Sequence, residues 1–218
     1  MTRHYKAAIF DLDGTLMDSL QDLWLSVNHA LSQMGFPKRS IDEVRQFVGN
    51  GVGKLVQRAV PEGTEEALTE QCLQLFKQHY VEHCREHTAP YDGIIPLLQT
   101  LQQQGIRTAI VSNKLQSGVD ELAHEHFKGI IDVAIGEREG IRRKPAPDMV
   151  DLAVRLLDME KTDCLYMGDS DVDVQTAMNA GMDCVAVLWG FRSRDVLLQA
   201  GATRFVQHPA ELLEFFGH

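Results

Sequence analysis

From residue 106 onward, short apolar runs rich in β-branched residues alternate with amphipathic segments. IRTAIVSN gives way to QSGVDELAHEHF, the helix-like DMVDLAVRLL precedes DCLYMGDS, and VQTAMNAG precedes DCVAVLWG. This alternation predicts βαβ units around a parallel sheet. Gly105 after PLLQTLQQQ and Gly181 after VQTAMNA fall where a helix ends in a left-handed residue, a conformation that suits glycine. By composition, the early run YKAAIF joins the same sheet.

Residues 17 to about 87 have a different pattern, with no strand-like run and with apolar residues at helical spacing. Leu20, Leu23, Trp24, Val27, Leu31 and Met34 fall on one helix face, which Gly35 and Pro37 bring to an end. Ser40 followed by Glu43 is a capping-box pattern that opens a second, short helix, and ALTEQCLQLFKQHYVEHC reads as a longer one. The organisation expected is therefore a core unit from residues 1–17 and 88–218, interrupted by a helical insert at 18–87. The fold class that follows is α/β, with a parallel sheet and an inserted helical segment.

Composition narrows the partners. The chain has 218 residues, 44% hydrophobic and 24% charged, ordinary for a globular protein with a sizeable core. A formal net charge of -10 repels nucleic-acid phosphates and anionic membrane surfaces, so neither is an expected partner. Small anions are still manageable where a few basic residues and a metal ion concentrate at one site. Cys72, Cys84, Cys164 and Cys184 show no C-x-x-C spacing and read as reduced thiols. With no signal-peptide pattern and no apolar stretch approaching roughly 20 residues, a cytoplasmic protein is expected, as monomer or homodimer.

The candidate chemistry lies at strand ends, where ligands bind in open parallel sheets. Asp11 and Asp13 follow the first strand, and Ser112, Asn113 and Lys114 follow IRTAIV. Lys144 lies in GIRRKPAPD, and Gly168, Asp169, Ser170 and Asp173 follow DCLYM. Two carboxylates as close as Asp11 and Asp13 repel unless a cation bridges them or one is protonated. A hard divalent cation such as Mg²⁺ takes carboxylate oxygens, which Asp11, Asp13 and Asp169 supply. With that metal and Lys144 nearby, Asp11 stays ionised as a nucleophile toward phosphorus. Asp13 acts as the acid for the leaving oxygen and later as the base that activates water. Ser112 and nearby N–H groups bind the phosphoryl oxygens, and Asn113 is grouped with them as a substrate contact. DSDVD also has the opening of an EF-hand loop, but Val174 and Ala180 stand where Gly and Glu are required.

Taken together, AIFDLDGTL, IVSNK, the Lys144 of RRKPAP, and MGDSDVD resemble, in order, the four motifs of the haloacid dehalogenase-like superfamily of phosphohydrolases. The resemblance spans essentially the whole chain and implies a Rossmann-like parallel sheet core that carries an inserted helical cap domain. It implies that Asp11 is phosphorylated, Asp13 is the general acid/base, and Ser112 and Lys144 bind the phosphoryl group. It further implies that Asp169 completes the Mg²⁺ site and that Asp173 supports Lys144 or a metal-bound water.

In the helical segment, FVGNGVGKLV lacks the Ser or Thr after lysine that a Walker A loop needs, because Leu55 stands there. It resembles the cap loop of phosphoglycolate phosphatases, which implies that N–H groups around Gly51 and the Lys54 ammonium meet a substrate carboxylate. A plain helix–helix turn with a surface lysine is the alternative. The expected activity is Mg²⁺-dependent hydrolysis of a small phosphorylated metabolite such as 2-phosphoglycolate, through an aspartyl-phosphate. Relatives of the same superfamily stay open: a sugar phosphomutase resembling β-phosphoglucomutase, or a pyrophosphatase. Asp13 speaks against a dehalogenase or a phosphonoacetaldehyde hydrolase. A two-component receiver domain, a reading from a different class, also clusters Asp, Ser or Thr and Lys around Mg²⁺. Its phosphoacceptor, however, ends a middle strand of a shorter chain. His79, His83 and His87 recur every four residues, a spacing that can bind Zn²⁺ but that fits a solvated helix face better. The loop from Trp189 to Arg194 follows another strand and is expected to border the active site, with no role assigned to it.

Overall fold

The computed structural model describes residues 4–49 and 51–216. The chain divides into two compact units: residues through Leu16 together with those from Pro90 onward, and Met17–Ala89. The larger unit starts with β1 (Ala7–Phe10), after which the chain builds the smaller one. There β2 (Met17–Asp18) leads into α1 (Leu20–Gln33), α2 (Ile41–Phe47), α3 (Val52–Ala59) and α4 (Glu66–His83). The segment closes with β3 (Ala89–Pro90), which pairs with β2.

The helices of the smaller unit follow from apolar spacing. Leu20, Leu23, Val27 and Leu31 are the buried stripe of α1. Ser40 and Glu43 form the capping box at the start of α2, each side chain accepting the other residue's backbone N–H, at 3.2 and 2.8 Å. The stretch read as a loop after Gly51 is instead helical from Val52, because Val52, Leu55, Val56 and Ala59 recur at i, i+3, i+4 and i+7. Gly51, at φ +83°, supplies the left-handed step into that helix. The two-residue strands β2 and β3 are too short to leave a period in the sequence.

The larger unit continues through α5 (Ile94–Gln103), β4 (Arg107–Leu115), α6 (Gln116–His126), β5 (Val133–Glu137) and α7 (Asp148–Leu156). It ends with β6 (Cys164–Gly168), α8 (Asp171–Ala180), β7 (Asp183–Val187), α9 (Arg194–Gln199) and β8 (Phe205–Val206). Its strands form one six-stranded parallel sheet in the order β5-β4-β1-β6-β7-β8. All four residues of β1 are fully buried, as a strand covered on both faces requires. The expected α/β class with a Rossmann-like parallel sheet is what the structure shows.

This order positions the site. From β1 the chain steps outward to β4 and β5, then crosses back to β6 and steps outward the other way. Connections therefore diverge between β1 and β6, and the crevice beyond their carboxyl ends is where an open α/β sheet binds ligands. Asp11 follows one of these strands and Asp169 the other. Among the described residues no helix is long and apolar enough to cross a membrane, and all four cysteines are free thiols.

Candidate active site

Asp11 continues the line of β1, its N–H donating to the Met167 carbonyl of β6 at 2.9 Å. Its side chain is anchored through one oxygen: Oδ1 takes the Leu12 N–H at 2.7 Å and the Lys144 ammonium at 2.8 Å. That leaves Oδ2 as the oxygen able to attack.

Lys144 is only 3% exposed. Besides Asp11 it reaches Asp173 Oδ1 at 2.7 Å and the Tyr166 hydroxyl at 3.2 Å. Asp173, at the start of α8, holds this ammonium with one oxygen and caps its own helix with the other. Oδ2 accepts from the Ser170 N–H at 3.1 Å and the Ser170 hydroxyl at 2.5 Å. The Tyr166 hydroxyl donates to Asp173 Oδ1 at 2.9 Å. Asp169 completes the group, accepting the Thr15 hydroxyl at 3.2 Å and the Phe191 N–H at 2.7 Å. Its neighbourhood admits no extra atom, because a Cβ at Gly14 or at Gly190 would run into the Asp169 side chain. Gly14 also has φ +89°.

Charge is unbalanced here. Asp11, Asp169 and Asp173 offer carboxylate oxygens that lie within 4.8 Å of one another, and Lys144 is the ammonium among them. Burial works against the Lys144 charge, but Asp11 and Asp173 outweigh it and hold the ammonium protonated. Burial also opposes ionisation of Asp173, yet Lys144, Ser170 and Tyr166 overcome it and lower its pKa. The cost falls on the other two. Burial and the Asp173 charge push Asp169 up to about 7 and raise Asp11 well above the usual carboxylate range. Burial and the same carboxylates raise Tyr166, so it stays a neutral donor. An all-oxygen donor set with surplus negative charge is the chemistry that a hard divalent cation satisfies.

The structure thus brings Asp11, Lys144, Asp169 and Asp173 together. The Asp13 carboxylate meets Lys114, whose Nζ lies 3.3 and 3.4 Å from its two oxygens, and the cluster of mutually close carboxylates comprises Asp11, Asp169 and Asp173. Ser112 is buried at the irregular end of β4, where the register with β5 shifts, and its hydroxyl accepts the Lys114 N–H at 3.2 Å. Asn113 lies next to Ser112 at the same strand end. Its side-chain amide donates to the Lys144 carbonyl at 3.0 Å and accepts the Lys144 N–H at 2.9 Å, clamping the loop that carries the buried ammonium.

On the smaller unit, Lys54 sits exposed on α3 with its ammonium on Gln57 Oε1 at 2.8 Å, and Gly51 is the residue preceding that helix. Asn50 of the V-G-N-G run lies outside the described residues. The histidine periodicity breaks because α4 stops at His83, and the His87 N–H turns to the Asp22 carboxylate. His79 instead stacks between His29 and His83, with ring centroids 4.1 Å away on each side. Stacked rings do not point their nitrogens at one ion, and the only metal-competent group among the described residues is the acidic one above.

Several contributors carry no role assigned from the sequence, although the Trp189–Arg194 loop is expected beside the site. Tyr166 lies inside an apolar strand, where a tyrosine reads as packing. Thr15 and the Phe191 N–H fix Asp169 from two loops, and the Trp189 indole N–H donates to the Thr15 carbonyl at 2.9 Å to join those loops. Glycine in LWGF directly after a strand was the available signal for such a close approach.

Comparison with known proteins shows which family the chain resembles. Residues 8–187 match the sequence profile described as haloacid dehalogenase-like hydrolase. A phosphoglycolate phosphatase of Pseudomonas syringae pv. tomato is 36% identical over 85% of the chain and 70% of that protein. One from Aquifex aeolicus is 30% identical over 85% and 86%. A solved structure of a candidate phosphoglycolate phosphatase from Lactobacillus delbrueckii subsp. bulgaricus superposes with a TM-score of 0.94, at 39% identity and 98% coverage of both chains.

Proposed function

Because the chain belongs to the haloacid dehalogenase-like hydrolase family and is a phosphatase within it, we propose that it hydrolyses a small phosphomonoester, 2-phosphoglycolate foremost, through a phosphorylated Asp11. The observation that carries this reading is the buried Lys144 ammonium 2.8 Å from Asp11 Oδ1. It favours ionisation of a carboxylate that burial and Asp173 hold above its usual range, a bias that a bound cation would complete, while leaving Oδ2 to attack.

In the first step Asp11 Oδ2 bonds to phosphorus, the bond to the leaving oxygen breaks, and the Asp13 carboxyl gives its proton to that oxygen. In the second, water attacks the same phosphorus, Asp13 takes the proton of that water, and Asp11 regains its carboxylate as phosphate leaves. Ser112 and Lys144 bind phosphoryl oxygens as charge spreads over them. Asp11 and Asp169, with Asp13 as the sequence suggests, would hold Mg²⁺, and Asp173, whose two oxygens are taken by Lys144 and Ser170, would support them through Lys144. When bound, the cation neutralises phosphoryl charge and screens the carboxylates from one another. The 30–36% identity to phosphoglycolate phosphatases is what favours that substrate, and Lys54 with the Gly51 N–H is assigned to its carboxylate.

A panel of phosphorylated metabolites, assayed with Mg²⁺ and again with a chelator, tests this. Phosphate release should be fastest from 2-phosphoglycolate and should vanish with the chelator. Lys54→Ala should slow carboxylated substrates more than neutral ones. Transfer of phosphate between sugar positions, or preference for pyrophosphate, would replace the reading with one of its superfamily alternatives.

Metal binding has a second readout. Asp169 is held neutral to about 7 in the fold, against 3.8 for a free carboxyl. Its contribution to stability is therefore fully present below the free value, falls as pH rises, and is gone once pH passes the folded value. A cation on the cluster offsets that loss. The rise in melting temperature on adding Mg²⁺ should thus be larger at about pH 8 than at about pH 5.5. Equal rises at both pH values would place the metal elsewhere.

A further inference from the structure

Lys114 belongs to none of the roles described so far, yet it is held as carefully as the residues that do. Its ammonium lies almost equally far from both oxygens of Asp13, at 3.3 and 3.4 Å, with side-chain exposures of 10% for the lysine and 21% for the aspartate. Its backbone N–H donates to Ser112 Oγ, so the same residue touches both the phosphoryl-binding hydroxyl and the acid/base carboxylate. The aliphatic stem lies along the first turn of α6, passing over Gly118. A Cβ built there would sit 3.3 Å from the lysine Cε and 3.5 Å from Cδ and Cγ. The missing side chain at 118 makes the channel in which a flexible four-carbon stem is confined.

We infer that Lys114 is a positioning residue: by bridging both oxygens it sets the direction of the Asp13 carboxylate, and so the rate at which Asp13 delivers its proton to the leaving oxygen. This rests on the assignment of Asp13 as acid/base proposed above. A two-torsion side chain following a strand end has several open rotamers, and only one delivers a proton along the breaking bond. Charge bridging from a confined ammonium selects among them. Lys114 need not touch substrate for this, which separates it from Lys144.

Three substrates separate the outcomes: 2-phosphoglycolate, an alkyl phosphate without a carboxylate, and p-nitrophenyl phosphate. The first two leave as poor alkoxides that need the proton, whereas nitrophenolate leaves with little help. For Lys114→Gln, kcat/KM should fall about 10- to 100-fold on both alkyl substrates and less than about 3-fold on p-nitrophenyl phosphate. Lys114→Arg should recover most of the loss. Gly118→Val, which keeps the lysine but displaces its stem and so shifts the ammonium from Asp13, should repeat the leaving-group pattern in milder form, and it carries the test should Lys114→Gln fold poorly.

Equal losses on all three substrates would overturn the proposal by making Lys114 part of phosphoryl binding or of the fold. A loss confined to 2-phosphoglycolate would overturn it by making Lys114 a contact for the substrate carboxylate. Wild-type protein that releases phosphate from none of the three would remove the phosphatase reading and this role together, whereas the two preceding outcomes remove the role alone.

Discussion

Asp11→Asn is expected to lower phosphate release from every substrate by roughly 10⁴-fold or more, the scale seen when a covalent nucleophile is removed. The change is nearly isosteric, and the amide oxygen can still accept the Leu12 N–H and the Lys144 ammonium that Oδ1 accepts now. What disappears is Oδ2, replaced by a nitrogen whose lone pair is delocalised and does not attack phosphorus. Stability should move the other way. The carboxylate at 11 is penalised by burial and by Asp173, so a neutral amide there relieves repulsion and the metal-free variant should melt at the same temperature or higher. Acid quench of wild type with labelled substrate should trap phosphate on the protein, and the variant should trap none. A variant within tenfold of wild-type turnover would sink the aspartyl-phosphate route.

The divided behaviour of that variant reflects how unevenly the sequence carried the site. Asp11 and Asp169 were legible because a carboxylate that ends a buried apolar run has no bland packing role, and strand ends are where such sheets bind. Lys144 needed its neighbours in order along the chain; alone it is a loop lysine. Tyr166 could not be read, since its hydroxyl finds Lys144 and Asp173 only after residues 22 and 7 positions away fold against it. Asn113 is a related case: its side-chain amide also bonds the Lys144 backbone 31 residues on, a contact that no local pattern announces.

The fold shows the same division. β1, β4, β6 and β7 announce themselves by apolar runs, whereas β5 (VAIGE) and the two-residue β8 are too brief or too mixed to show a period. In α3 the glycines hid a helix whose apolar stripe is regular once Gly51 is taken as its entry. Local patterns thus exposed the elements that bury most apolar surface. Contacts fixed by tertiary proximity were the ones left unseen.

The second large effect is expected from Lys144→Met, which keeps the stem volume and deletes the charge. Asp173 is fully buried and Asp11 nearly so, and both lose their counter-ion at once. Breaking a buried pair from one side costs about 3–5 kcal/mol, because the stranded charge must be neutralised or hydrated. Denaturant unfolding should show that loss, and activity should fall below detection. The double variant Lys144→Met with Asp173→Asn separates the two consequences. An amide at 173 can turn its oxygen to the Ser170 N–H and its NH₂ to the Tyr166 oxygen, preserving the helix cap without a buried charge. Most of the lost stability should return. Activity should not, because no cation is left at Asp11 Oδ1 to ionise the nucleophile and meet the phosphoryl group. If activity returned along with stability, Lys144 would be a structural counter-ion only, and the electrostatic basis assigned to Asp11 would fail.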